Sequence, residues 1–181
     1  VPDADELKDL LTLTDASDIS YDKETSQIVF KKDGMQIDFG GIAKGYTSAR
    51  IMDIFRACGI KSGLVNLGGN VQALGTKKDG SSWRVAVQDP QDTDQYLGVL
   101  SIQDKAVITS GGYERYFEQD GRTYHHIIDP KTGYPADNGV MSDTIVIDGE
   151  REDNGIISDI LTTAVFTLGP DKGIKLINSL D

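Results

Sequence analysis

YERYFEQDGRTYHHII, residues 113–128, contains an Asp120-Gly121 pair between two runs rich in aromatic and β-branched residues. Such a pair is the strongest short signal for a β-hairpin, because a type I′ turn needs positive φ at both central residues. A two-residue loop fixes the register and places Arg115 opposite His126. His125 then points to the other face, so only one of the two histidines should line a functional site.

The predicted position of His126 indicates a chemical role for it. A guanidinium directly across the hairpin disfavours the charged imidazolium and keeps the ring neutral. The neutral ring is the form that takes a proton from a hydroxyl. This hypothesis fails if Arg115 lies far from His126 in the folded chain.

Turn signals recur along the rest of the chain and predict an antiparallel-rich sheet. Further Asp-Gly pairs lie at 33–34, 79–80 and 148–149, and NLGGN at 66–70 is interpreted as another hairpin turn. Helical patterns begin and end at capping, Gly or Pro signals. No internal repeat or low-complexity linker divides residues 1–181, so we expect one α+β domain with helices packed on the sheet. The predicted helices span residues 3–13, 41–58, 155–168 and 171–180.

Charge narrows the classes of ligand. The chain has 18 basic and 29 acidic residues, a net charge of −11. This balance argues against a general nucleic-acid-binding or anionic-membrane surface. A polyanionic ligand would depend on local cations, and a divalent metal would supply them.

The predicted helix at 155–168 has an apolar stripe and an opposite polar side. Asp159 and Thr163 are four residues apart, so they lie one turn apart on that polar side, with Thr162 beside them. The simplest interpretation is a solvated helix face. The alternative is that a carboxylate and a hydroxyl offer oxygen ligands to Mg²⁺, which takes few protein oxygens together with phosphate and water.

DFGGIAKG, residues 38–45, is interpreted as a strand that ends near Asp38 and turns through two glycines into a helix. Backbone at such a turn can approach a phosphate, and the helix start attracts anions. Lys44 adds a positive charge. The pattern is neither the dinucleotide fingerprint nor the Walker motif, so a tight turn with a surface lysine is an equal alternative.

Five motifs together resemble the ApbE family, the FAD:protein FMN transferases formerly described as thiamine-biosynthesis lipoproteins. They occur in the family's order and cover most of the chain. The motifs are DFGGIAKG (38–45), GLVNLGGN (63–70), TSGGYERYF (109–117), HIIDPKTGYP (126–135) and SDILTTAVFTLG (158–169).

The resemblance implies a reaction and roles for particular residues. Family members bind FAD with Mg²⁺, transfer its FMN half to a threonine hydroxyl of an acceptor flavoprotein, and release AMP. By motif, His126 would be the general base, and Asp38 and Lys44 would contact FAD. The implied Mg²⁺ ligands are the main-chain carbonyl of Gly41, the Asp159 carboxylate and the Thr163 hydroxyl.

The resemblance also bears on the chain's extent, its partner and its cellular location. Only 37 residues precede DFGGIAKG, whereas family members have a much longer stretch there, so residues 1–181 are expected to be the C-terminal core of a longer protein, with a naturally shortened relative as the alternative. The implied acceptor is a subunit of a membrane redox complex or a similar secreted flavoprotein. The implied location is the extracytoplasmic face of the bacterial cytoplasmic membrane, reached through a lipid anchor. A non-catalytic FAD-binding protein and an FAD pyrophosphatase remain alternatives.

Overall fold

The computed structural model describes residues 1–148 and 153–180. The helices are α1 (Ala4–Leu11), α2 (Ala43–Ala57), α3 (Asn154–Leu168) and α4 (Pro170–Ile177), with a short 3₁₀ helix at Ala16–Asp18. The strands are β1 (Ile19–Asp22), β2 (Gln27–Phe30), β3 (Gly63–Leu67), β4 (Asn70–Leu74), β5 (Trp83–Gln88), β6 (Tyr96–Ile102), β7 (Lys105–Gly111), β8 (Tyr116–Gln119), β9 (Arg122–His125) and β10 (Ser142–Asp148). All four predicted helices are present, and every strand pairing within the described residues is antiparallel. The predicted α+β class is confirmed.

A four-stranded sheet in the order β10-β7-β4-β3 forms the centre of the fold. Helices α2 and α3 pack on one of its faces. The β5–β6 hairpin covers the other face, where Val71, Val85, Ile102 and Val107 form an apolar cluster. Burying each such aliphatic side chain stabilises the fold by roughly 2 kcal/mol. The four-stranded sheet therefore supports α2 and α3 and positions them.

Two of the predicted turns are confirmed with the expected backbone. Asp120 and Gly121 have φ values of 52° and 72°, and Phe117 pairs with Tyr124 across β8 and β9. The ladder continues to the next residues, since the His126 amide donates to the Arg115 carbonyl at 3.2 Å. Gly68 and Gly69, with φ of 58° and 84°, join β3 to β4.

Other turn predictions were wrong. Residues 33–34 form a turn, but no strand lies between Phe30 and α2 in this described part of the chain, so the strand predicted to end near Asp38 is absent. Residues 77–80 also turn, yet the flanking strands β4 and β5 belong to different sheets. A hairpin was missed between β1 and β2, where Asp22 accepts the amides of residues 24 and 25. The last Asp-Gly pair, 148–149, extends outside the described residues.

None of the helices in the described residues has the length and hydropathy needed to cross a bilayer.

Candidate functional site

Helices α2 and α3 meet through glycine. A Cβ atom added at Gly45 would lie 2.3 Å from the Gly155 carbonyl oxygen and 2.6 Å from Asp159 Cβ. Only a residue without a side chain permits this approach. The contact places the first turn of α2 against Asp159, and the Gly45 amide donates a hydrogen bond to Asp159 Oδ2 at 2.7 Å.

Asp159, a residue of α3, is buried and its carboxylate lies beside the start of α2. Its residue surface is 4% exposed, and burial raises its pKa, while the Gly45 amide and the charge of Lys44 lower it. The N-cap residue of α2, Ile42, makes no capping hydrogen bond through its side chain. Asp159 therefore supplies the acceptor and the negative charge that a helix start favours. The interpretation that Asp159 lies on a solvated helix face was wrong. The exposed part of α3 includes the apolar Ile160, which is 44% exposed.

The three residues that carry the candidate metal ligands, Gly41, Asp159 and Thr163, lie near one another. A Cβ on Gly41 would lie 3.6 Å from Thr163 Oγ1, and the Thr163 hydroxyl donates to the Asp159 carbonyl at 3.3 Å. Asp159 Oδ1 accepts no hydrogen bond from a described residue. Within residues 1–148 and 153–180, no cluster of three or more His, Cys, Asp or Glu residues could hold a metal. Carbonyl, carboxylate and hydroxyl oxygens instead make up the hard donor set that suits Mg²⁺.

Thr162, beside these groups, has a packing role. It is fully buried, its hydroxyl donates to the Asp159 carbonyl at 3.0 Å, and it accepts from the Ser110 hydroxyl at 2.8 Å. These contacts join α3 to β7. Thr162 therefore holds the helix on the sheet and does not face the site's opening.

Lys44 and Asp38 border the same region. Lys44 is half-buried, and its ammonium donates to the Gly68 carbonyl at 3.2 Å, which ties the start of α2 to the β3–β4 turn. Asp38 is exposed, and its Oδ1 accepts the Gly40 amide at 2.6 Å, which shapes the glycine turn. A cleft of about 570 Å³ opens beside Gly68, between the sheet and β5–β6. Its lining includes Asn66, Arg84, Tyr96, Thr109, Tyr113 and Glu114.

His126 is exposed and its ring is oriented by one hydrogen bond. Nδ1 lies 3.2 Å from the Arg115 carbonyl oxygen, and because a carbonyl only accepts, Nδ1 carries the proton. In the neutral ring, Nε2 then has a free lone pair. The predicted proximity of Arg115 is confirmed, although the contact is through its carbonyl. No hydrogen bond between described residues joins His126 to Asp159 or Lys44.

His125 occupies a different environment on the other face of the hairpin. Its Nδ1 accepts the Ile127 amide at 3.3 Å, and its Nε2 lies 3.2 Å from the Ala136 carbonyl oxygen. Burial lowers its pKa, and its ring packs edge-on against Phe166 beside a cavity of about 420 Å³. Both ring nitrogens are engaged, so His125 is a structural residue.

Asp143 is a half-buried residue whose two carboxylate oxygens are buried, and the sequence did not predict this. It pairs with Ser110 across β10 and β7, and because Ser110 bonds to α3, Asp143 points toward the same helix. Neither carboxylate oxygen has a hydrogen-bond partner among the described residues, and burial raises its pKa to about 7. A single acidic residue in an alternating strand pattern does not indicate that its carboxylate will be buried.

Replacing Asp143 by asparagine should change how stability depends on pH. The folded-state pKa near 7 lies above the unfolded value of 3.8. The Asp143 carboxyl therefore lowers the free energy of unfolding progressively between about pH 4 and pH 7, and the full loss is present above pH 7. Below about pH 4 this loss is absent. We expect Asp143→Asn to raise the free energy of unfolding at pH 8 by about 2 kcal/mol, allowing for partial solvent access. Urea unfolding at pH 5 and pH 8 measures this.

The control for that experiment is Asp148→Asn at the end of the same strand. Asp148 is exposed and forms a surface ion pair with Lys105, so its replacement should change stability little at either pH. An equal pH dependence of stability in wild type and Asp143→Asn would contradict the prediction.

The site thus contains hard oxygen donors, the start of a helix and a lysine. These groups together suit a divalent cation and a phosphate-bearing ligand. The model of the ApbE family matches residues 1–181, and the chain belongs to this family. Curated relatives named FAD:protein FMN transferase from Klebsiella pneumoniae (strain 342) and Treponema pallidum (strain Nichols) are each 40% identical, over 96% and 98% of this chain. The chain spans about half the length of these relatives, 52% and 51%.

Solved structures support the same family and fold. The ApbE protein of Thermotoga maritima is 35% identical with a TM-score of 0.87, over 99% of this chain and 56% of that one. The flavin transferase ApbE of Vibrio cholerae is 28% identical with a TM-score of 0.84, over 99% of this chain and 55% of that one. The predicted family resemblance is confirmed.

Proposed function

We propose that this chain is the core of an enzyme that transfers FMN from FAD to a threonine hydroxyl of an acceptor flavoprotein, with Mg²⁺, and releases AMP. The observation that carries the proposal is the proximity of Gly41, Asp159 and Thr163 beside the start of α2. The names of the relatives support FMN transfer from FAD as the activity class. C-terminal placement within a longer protein is part of the proposal.

The residues at the start of α2 fit the proposed cation. Asp159 is a desolvated carboxylate with a raised pKa, and such a group gains from a bound cation. The Gly41 carbonyl, the Asp159 carboxylate and the Thr163 hydroxyl would hold Mg²⁺. When bound, Mg²⁺ would neutralise the pyrophosphate oxygens of FAD. Lys44 and Asp38 would contact FAD, since both border the glycine turn where a phosphate can approach the backbone.

His126 would act on the acceptor. Its free Nε2 would accept the proton of the threonine hydroxyl as that oxygen attacks the phosphorus of the FMN half. A phosphoester bond to threonine forms, the bond between the two phosphates breaks, and AMP leaves with the bridging oxygen. The exposure of His126 leaves it accessible to a protein substrate.

The proposal is tested by mixing the longest form of the enzyme that its gene encodes with FAD, Mg²⁺ and an acceptor domain. Intact-mass spectrometry should show one FMN added to the acceptor, and chromatography should show an equal amount of AMP. Free FMN with AMP would instead identify an FAD pyrophosphatase. FAD binding without AMP release would identify a flavin-binding protein, and either result contradicts the transferase.

The acceptor and the location are further parts of the proposal. The family resemblance supports an acceptor in a membrane redox complex, or a similar secreted flavoprotein, on the extracytoplasmic side of the cytoplasmic membrane. Cell fractionation with an antibody to this chain tests the location. Recovery of all the protein in the cytosol would contradict it.

Asp159→Asn should separate metal binding from folding. Asparagine can still accept the Gly45 amide, and it relieves the desolvated charge, so stability without metal should stay equal or rise at pH 8. The Mg²⁺-induced increase in melting temperature should disappear, because the anionic ligand is gone. Thermal unfolding with and without Mg²⁺ measures both effects. A retained Mg²⁺ shift would place the metal elsewhere.

A further inference from the structure

The β8–β9 hairpin presents one face on which His126 lies beside cations and aromatic rings. We define this His126 face by six residues that alternate along the two strands and their continuation. The registers Phe117 to Tyr124 and Gln119 to Arg122, with the Arg115–His126 hydrogen bond, put them on one side. The His126 face consists of Arg115, Phe117, Gln119, Arg122, Tyr124 and His126. None of these is acidic, and Glu118 lies on the opposite face.

The rings and one guanidinium on this face are held in place before any partner arrives. Phe117 and Tyr124 stack with centroids 5.2 Å apart and planes at 11°. The Arg122 guanidinium lies 5.6 Å from the Tyr124 ring centroid and 5.4 Å from that of Tyr134. Such stacking costs a partner less ordering entropy on binding. Phe117 is nevertheless 53% exposed, so the platform is open to solvent.

The charges on the His126 face form no ion pair with any residue that the structure describes. Among the described residues, neither Arg115 nor Arg122 forms an ion pair, whereas Arg50 and Arg56 both pair with Asp53. In a chain of net charge −11, two arginines that pair with no described acid, on the same face as the proposed general base, form a local site for an anionic group. An arginine fork binds a carboxylate through two hydrogen bonds.

We infer that the His126 face docks an acidic segment of the acceptor protein, with carboxylates close to the threonine that receives FMN. This inference rests on the proposed function, because a threonine that reaches His126 must bring its flanking residues along this face. Arg115 and Arg122 would bind the flanking carboxylates. The Phe117–Tyr124 stack would support the peptide between them.

The first experiment measures binding alone. A fluorescein-labelled peptide with one threonine between aspartates is titrated with the chain by fluorescence anisotropy, beside the same peptide with asparagines. We expect the acidic peptide to bind about tenfold more tightly at low salt, and the difference to disappear in the Arg115→Gln, Arg122→Gln double variant. Arg50→Gln, Arg56→Gln is the matched control and should keep the preference. Equal binding of the two peptides would overturn the inference.

The second experiment measures transfer at saturating FAD with an acceptor domain of the same organism. The double variant should raise KM for the acceptor about tenfold and flatten its salt dependence, while KM for FAD stays unchanged. Transfer by wild type with no change in the variant overturns the docking surface and leaves the transferase standing. Acidic-peptide preference without any FMN adduct overturns the transferase and leaves the surface as a peptide-binding face.

Discussion

Gly45→Ala should lower the free energy of unfolding by about 3 kcal/mol and abolish the response to Mg²⁺. The added methyl would lie 2.3 Å from the Gly155 carbonyl oxygen and 2.6 Å from Asp159 Cβ. Both obstacles belong to α3, so the helices must separate, and overpacking of this kind typically costs 1–3 kcal/mol or more. Separation also breaks the Gly45–Asp159 hydrogen bond and moves the carboxylate away from Gly41. Urea unfolding and Mg²⁺-dependent melting measure the two effects.

The matched control is Gly98→Ala on strand β6. A Cβ at Gly98 meets no atom within 4 Å, and the residue is exposed. Its replacement should leave both stability and the Mg²⁺ response close to wild type. A Gly45→Ala protein that is as stable and as responsive as Gly98→Ala would show that the glycine contact does not set the site.

His126→Ala should reduce FMN transfer by roughly 10² to 10⁴-fold and leave FAD binding unchanged. General-base catalysis contributes an effect of this size, and among the described residues the His126 side chain makes one hydrogen bond, to the Arg115 carbonyl. Because the residue is exposed, its loss should change the free energy of unfolding by less than about 1 kcal/mol. Single-turnover transfer with preloaded FAD measures the chemical step, and flavin fluorescence measures binding.

His125→Gln is the comparison for this variant, since the two histidines are adjacent but differently placed. Burial against Phe166 and two hydrogen bonds predict a loss of stability at this position, with transfer retained by the folded fraction. Added imidazole should partly restore transfer to His126→Ala, because the vacated position is open to solvent. Loss of transfer in His125→Gln with full activity in His126→Ala would reverse the two assignments.

Local signals were enough for part of the fold. The Asp120-Gly121 and Gly68-Gly69 turns need positive φ, which few residues adopt, so their sequence alone predicts hairpins. The helix bounds follow from periodicity and from caps such as Asp3, which accepts the amides of residues 5 and 6. The register around Asp120 then led directly to the Arg115–His126 pair.

The wrong turn predictions were those that required the two flanking strands to pair with each other. Residues 33–34 and 77–80 do turn, but a turn makes a hairpin only if the flanking strands pair with each other. In this fold the strand after residue 80 pairs with β6, and no strand follows residue 34 before α2. Pairing over such distances depends on what the rest of the sheet covers, and no local pattern contains that information.

The family resemblance supplied Gly41, whereas the chain's sequence by itself determined the α+β class, the two glycine hairpins and the residues Asp159, Thr163 and His126 as candidates. These depend on backbone conformation and on residue chemistry, which are local properties. Only the tertiary structure decided that the polar side of α3 is buried, and that the Asp143 carboxylate lies beneath it with no hydrogen-bond partner among residues 1–148 and 153–180. Helix periodicity separates two faces, but the face that turns inward depends on its neighbour. Here the neighbour is the uncapped start of α2, which needs an acceptor that Asp159 provides.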